Sequence, residues 1–301
     1  MYEKLSLDLS AETMQMGKSS DDEYQDYINK LTSNGTKKYT PVKAYNKYTK
    51  NGQYGKVYID TKNKFIKKEL RLVKRNKGIF SPENRSAFNW NFDRLKNFYN
   101  VMKKYTAKVR KLFPNNFAKI KNCIYYVDDD DVIIEMNMEN ISRGKKTVRN
   151  FKDDLISKKY NQSQLNRIFA QLYYICVVTN KNNLFHNDLK PGNIIIKKTK
   201  KHIYYRGLGN IVLNIKKNSY IPVLIDYDLV SFKNLSSSFH PANLISGYDN
   251  IYFNESVKRI IKRFKLHIDL PDIIELPNCD NINYSQIRDV YSKYNISFIL
   301  I

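Results

Sequence analysis

Three short segments with alternating apolar and polar positions occur early in the chain: Val42 to Tyr48, Lys56 to Asp60 and Lys64 to Leu70. A glycine-bearing turn and the polar Thr61-Lys-Asn63 separate them, which predicts a three-strand antiparallel meander. Ser81-Pro82 reads as an N-cap with a first-turn proline, and Phe88, Phe92, Leu95, Tyr99 and Met102 then recur at helical spacing. Two more strands are expected at Asn122 to Val127 and Asp131 to Met136, joined across the acidic run Asp128 to Asp131, which reads as a solvated turn. Beyond residue 140 the pattern turns helical, with Leu165, Ile168, Phe169, Leu172, Ile175 and Cys176 on one face before Asn182-Asn183 ends the helix. Strands, a helix, strands and then helices predict an α+β protein with a sheet-bearing first half and a helical second half. The polar first residues read as an N-terminal extension over 1–38, followed by parts spanning 39–136 and 137–301.

At 301 residues the chain is long enough for a substantial core. Its longest apolar runs fall well short of the roughly 18 residues that span a bilayer. Met1 to Leu5 lacks a cationic start and apolar stretch, and Tyr2 stands where myristoylation needs glycine, so the protein is expected to stay where it is made. Cys123, Cys176 and Cys279 are far apart and odd in number, which argues against a disulfide frame or a zinc site. The formal charge of +23 attracts acidic proteins, anionic membrane surfaces or nucleic acid without choosing among them. Scattered lysines in an Asn-, Lys-, Tyr- and Ile-rich chain also fit an AT-rich coding genome.

The densest chemistry lies in His186-Asn187-Asp188-Leu189-Lys190-Pro191-Gly192-Asn193, between the helix and an apolar Ile194-Ile-Ile196. This string resembles the protein kinase catalytic loop H-R-D-L-x-x-x-N, with Asn187 in place of the arginine. Ile221-Pro-Val-Leu-Ile-Asp226-Tyr227-Asp228 resembles the following strand and its D-F-G turn, Asp226 matching the metal-binding aspartate and Asp228 replacing glycine. Asp226 lies 33 positions after Asn193, a long spacing for the family, and the excess containing Lys197 to His202 reads as an inserted basic hairpin. Upstream, Gly52-Gln-Tyr-Gly55-Lys-Val57 resembles the second half of the glycine-rich phosphate loop.

The resemblance covers residues 39 to 230 in kinase order and implies a bilobal fold, with a small antiparallel-sheet N-lobe over 39–136 and a mainly helical, shortened C-lobe over 137–301. It implies ATP and Mg²⁺ or Mn²⁺ as cofactors and protein Ser/Thr hydroxyls as acceptors. Asp188 would orient the acceptor and take its proton, Asn193 and Asp226 would hold the metal, and Lys190 would offset charge on the transferred group. Gly52, Gly55 and Val57 would cover the nucleotide, and Lys67 would grip its α- and β-phosphates. Lys68 is the alternative, with Ile66 in the position of the family's small alanine, but Lys67 would then occupy a core position. Glu83 is the candidate partner for that lysine, backbone groups of Glu135 and Met136 would bond adenine, and Ile134 would guard the back pocket.

No A-P-E follows, and Asp249 is the candidate helix aspartate. Without the loop arginine, activation by a phosphorylated loop is not expected. These departures and the composition are most similar to the Ser/Thr kinases of large DNA viruses, the poxvirus virion-assembly type above all. The chain also resembles small-molecule kinases of the choline and aminoglycoside type in H-N-D-L-x-x-G-N, although Lys190 favours the protein kinases. A non-catalytic scaffold is the third reading.

Overall fold

The computed structural model describes residues 45–52, 55–60, 65–72, 92–128, 131–141, 149–227, 229–232, 235–236, 248–271, 284–294 and 296–300. The expected N-terminal extension, Val42, the Ser81-Pro82 cap, Glu83 and Asp228 lie outside them. The described residues combine helices with antiparallel sheets and fall into two compact units. One is drawn from Met1–Lys96 and Lys119–Thr147, the other from Asn97–Ala118 and Val148–Ile301. Among the described residues no helix is long and apolar enough to cross a membrane.

The first unit holds a five-stranded antiparallel sheet: β1 (Tyr45–Gly52), β2 (Gly55–Asp60), β3 (Phe65–Leu72), β4 (Ile120–Asp128) and β5 (Asp131–Glu139), in the order β1-β2-β3-β5-β4. The meander and the later strand pair thus form one sheet, because β5 returns to pair with β3 along its whole length, from Phe65↔Glu139 to Leu72↔Val132. The boundary expected after Met136 falls inside β5. A strand hydrogen-bonded on both sides is not a place where contacts thin out, and this unit runs on past the strand end. Helix α1 (Phe92–Leu112) follows β3 in sequence, but its residues from Asn97 onward belong to the second unit, where Val101, Met102, Tyr105 and Val109 form a buried stripe.

The second unit is built on helix α3 (Gln162–Lys181), which follows the short α2 (Phe151–Ile156). Asn161 and Gln164 close a capping box at its start, each side chain bonding the other's backbone N–H. Ile168, Ile175, Val177, Val178 and Thr179 are β-branched, which disfavours helix by a few tenths of a kcal/mol each. Burial of the four aliphatic ones contributes about 1.5–3 kcal/mol each and decides the conformation, since all five residues are buried. Helices α4 (Tyr248–Phe264) and α5 (Tyr284–Lys293) bring Phe253 and Tyr291 to this core; the Phe253 ring stacks edge-on to Phe169, and the Tyr291 hydroxyl reaches Ala170 O.

The second unit is less exclusively helical than the sequence predicts. It carries β6 (Leu184–Phe185), β7 (Ile194–Lys198), β8 (Ile203–Leu208), β9 (Ile211–Ile215), β10 (Tyr220–Leu224), β11 (Ser231–Phe232), β12 (Leu235–Ser236) and β13 (Phe298–Leu300). The basic stretch Lys197 to His202 is not itself the inserted hairpin. That hairpin is β8–β9, farther on, and β13 pairs with β9 to make a three-stranded sheet. It is apolar where it meets the core: Tyr205 is buried against Phe113 and Tyr174, and the Tyr174 hydroxyl donates to Ile211 O. Gly207, at φ 114°, packs so closely on α3 that a Cβ there would meet Val178 Cγ1 at 2.9 Å.

Candidate functional site

The loop after α3 is positioned from three sides. Asn183 leaves the helix at φ 54°, β6 pairs with β11, and the buried Asp249 in the first turn of α4 accepts the backbone N–H of both His186 and Asn187 at 2.7 Å. Burial raises the Asp249 pKa, partly offset by His186 and the two N–H bonds. His186 Nε2 donates to Ile225 O at 3.0 Å, tying the loop to the end of β10. Asn187, at φ 59°, sits in the left-handed region that asparagine tolerates best among residues with a side chain, and its amide donates to Leu229 O and Ser231 Oγ. The residue in the arginine's place therefore binds the following segment through neutral hydrogen bonds.

Asp188 is the acceptor on which this loop converges. Lys190 Nζ lies 2.9 and 2.7 Å from its two carboxylate oxygens, and Asn193 Nδ2 donates both to its backbone O and to Oδ2. Burial works to lower the Lys190 pKa, but the Asp188 carboxylate, helped by Tyr252 and Asp226, outweighs it and the net direction is up. Lys190 is therefore a cation throughout the physiological range.

Pro191 opens a single 3₁₀ turn, Pro191–Asn193, that delivers the chain into β7. β7 and β10 are antiparallel with Ile194 opposite Leu224, and Ile225 N–H donates to Asn193 O at 3.0 Å. Asn193 and Asp226 consequently emerge at the same end of one strand pair. Asp226 is held at φ 69°, a conformation that strains a residue with a Cβ by about 1–2 kcal/mol. With its amide nitrogen engaged on Asp188, Asn193 turns its oxygen elsewhere, so the pair presents an amide oxygen and a carboxylate. That donor set fits Mg²⁺, which favours a few protein oxygens completed by phosphate and water. Among the described residues no group of three or more His, Cys, Asp or Glu forms an alternative metal cluster.

Tyr227 anchors the turn. Its ring is buried beside Tyr105, Phe117 and His186, and its hydroxyl lies 3.0 Å from Ala118 O and 2.9 Å from Leu224 O. Burial pushes the phenol up, so it stays a protonated donor. Leu224 O also accepts Ala118 N–H, so truncation leaves chiefly the Ala118 carbonyl short of a donor. Tyr227→Phe is expected to cost about 1–3 kcal/mol, read as a lower urea midpoint at unchanged slope.

In the first unit, Gly52 and Gly55 are the last pair of the β1–β2 hairpin. The register then sorts the remaining predicted residues onto two faces. Directly opposed residues share a face, and successive residues alternate. Val57 opposes Lys68, and Lys68 opposes Met136, so these three and Ile66 lie on one face. Tyr58 opposes Lys67, Lys67 opposes Asn137 and Glu69 opposes Glu135, which places all five on the other. Lys67 and Val57, expected at one nucleotide, are thus on opposite sides of the sheet.

Lys67 Nζ lies 2.8 Å from Glu135 Oε1 and 3.5 Å from Glu69 Oε2, and 4.7 Å from the centre of the Tyr58 ring. Lys67 and Glu135 are only 5% and 1% exposed, a true buried ion pair. The expected adenine-bonding role of Glu135 and Met136 is corrected: β5 lies between β3 and β4, so their backbone groups belong to ladders. Ile134 lies two residues deeper in the same strand. Neither the Glu135 carboxylate nor the Tyr227 hydroxyl was singled out from sequence; the Lys-x-Glu of Lys67 and Glu69 on one strand face was the available signal for a buried charge cluster.

No protein-family model matches the chain, and no curated protein matches it. Among solved structures it is similar to one titled "Crystal structure of BubR1 kinase domain", at 15% identity and a TM-score of 0.37. That match takes in 62% of this chain and 47% of that one, so the chain spans less than half of that neighbour's length.

Proposed function

We propose that the chain is an ATP-dependent phosphotransferase acting on serine and threonine hydroxyls of proteins. The observation that carries this reading is the convergence of Lys190 and Asn193 on Asp188, with Asn193 and Asp226 at one end of the β7–β10 pair. A phosphoryl acceptor needs a carboxylate at its hydroxyl and a cation beside the transferred group, and this loop supplies both.

In the step, the acceptor oxygen bonds to the γ-phosphorus as the bond from that phosphorus to the β,γ-bridging oxygen breaks, and ADP leaves with the electron pair. The hydroxyl proton passes to Asp188. Lys190 offsets charge on the group in flight. Asn193 and Asp226 would hold Mg²⁺ or Mn²⁺, which supplies charge neutralisation on the phosphates.

Lys190 supports a protein acceptor over choline or an aminoglycoside. Asn187, bonded neutrally to Leu229 and Ser231, supports a kinase in which loop phosphorylation is not the switch, and the composition and Asp-Tyr-Asp turn support the type found in large DNA viruses. The test offers the purified chain Mg²⁺ and γ-labelled ATP with an acidic protein, a basic protein, choline and an aminoglycoside. Label on serine or threonine is the expected result. Label on a small molecule moves the assignment to the small-molecule kinases, and no turnover or nucleotide binding by a folded chain leaves a scaffold.

A further inference from the structure

We propose that the β13-β9-β8 sheet of the second unit binds single-stranded nucleic acid on the face turned away from α3. This is independent of the phosphotransfer reading, because the sheet follows the end of the β7–β10 pair opposite to Asn193 and Asp226.

Charge is concentrated here. Between Asp188 and Asp226 the chain has no Asp or Glu, although it holds 29 in all. The turn after β7 and the turn before β10 are bonded to each other: Thr199 N–H donates to Ser219 O and Asn218 N–H donates to Thr199 O, each at 2.9 Å. That pairing gathers the exposed Lys198, Lys200, Lys201, Lys216 and Lys217 where β9 stops and β8 begins. Among the described residues none of the five enters an ion pair, so their field is directed outward, toward an anion in solution.

Lysines alone suit any polyanion; Tyr204 selects a nucleic acid. Successive strand residues point to opposite faces. Tyr205 and Gly207 face Tyr174 and Val178 of α3, so Tyr204 and Arg206 face out. Tyr204 is 50% exposed and stands opposite the amide side chain of Asn214. An open ring between a guanidinium and a group of ammonium ions matches an unpaired base on its phosphate backbone, the base stacking on the ring and the cations meeting the phosphates. Duplex bases, stacked on each other, offer the ring no face. An acidic peptide would leave Tyr204 unused, and adding it as a strand to β8 would have to cross the register shift after Tyr205, which interrupts the ladder.

The test titrates fluorescein-labelled oligothymidine and oligouridine of about 12 nucleotides, within the site sizes of single-strand binders, with the full chain. Anisotropy is read at several salt concentrations, with a duplex of equal length and a polyglutamate peptide as the other arms. Either single strand is expected to bind more tightly than both of these, and the tighter of the two names the preferred sugar. Tyr204→Ala should weaken binding about 5- to 150-fold at unchanged salt slope, whereas Tyr204→Phe, which keeps the ring, should bind as the wild type does. Lys216→Ala/Lys217→Ala should reduce the slope of log affinity against log salt by about 1.4. Ultraviolet crosslinking of a 5-bromouracil strand to the wild-type chain, which needs no variant, should map to the peptide holding Tyr204. Undiminished affinity in Tyr204→Ala, a crosslink only elsewhere in the chain, or no binding by a folded chain overturns the proposal. So does equal or tighter binding of the duplex or of polyglutamate, the latter marking the face as a dock for acidic proteins.

Discussion

Asp188→Asn is expected to lower turnover by about 10²- to 10⁴-fold while the chain melts as the wild type does. Asparagine has the shape of aspartate and still offers an oxygen to Asn193 Nδ2, and the backbone O of residue 188 keeps its own bond from that amide. What disappears is the ability to receive a proton and the charge that fixes Lys190. The Lys190–Asp188 pair is too solvated on the lysine side to matter much to stability, since that side chain is 38% exposed. Single-turnover label transfer at saturating ATP, alongside a thermal melt, checks both halves. Wild-type turnover in the variant would remove Asp188 from the chemistry.

Asp249→Ala should be the most damaging single change to the fold around the site, costing about 2–6 kcal/mol for two buried N–H groups left without an acceptor. That is a large share of the roughly 5–15 kcal/mol that holds a protein folded. Asp249→Asn is milder: one oxygen still accepts, but its NH₂ turns toward the other N–H. The pH response separates charge from geometry. Because the folded pKa of Asp249 is raised, the native state holds this proton more tightly than the unfolded chain does. Its contribution is therefore fully present below the ordinary aspartate value and declines as pH rises from there through the raised folded pKa. Urea midpoints across that acid window should show this decline in the wild type and lack its share in Asp249→Asn, which has no proton to lose. Equal slopes would assign that titration to another group.

The parts legible beforehand were those whose signal is local. Alternation located β2, β3 and β5 because each is long enough to show a period of two, and Asp188 to Asn193 was readable because its chemistry lies within six residues. Strands such as β6, β11 and β12, two residues each, carry no period at all. The β8–β9 hairpin was hidden by Gly207 and a register shift after Tyr205, while the charge at Lys197 to His202 drew attention to its flank. Which of Lys67 and Lys68 shares a face with Glu69 and Glu135 required knowing what stands opposite each. Register is a tertiary fact, and a slip of one residue exchanges the faces. Asp249 was readable as a candidate helix aspartate, but its bonds to the N–H groups of His186 and Asn187 needed the fold, since it lies 61 positions beyond Asp188.

Lys67 and Glu135 sit on neighbouring strands of one ladder, so no rigid-body movement of a helix can part them. They separate only when β3 unzips from β5, which makes the population of the broken pair a local unfolding equilibrium rather than a docking equilibrium. The backbone amides around Lys67 and Glu135 should therefore exchange with deuterium slowly and together, and nucleotide should leave that rate nearly untouched.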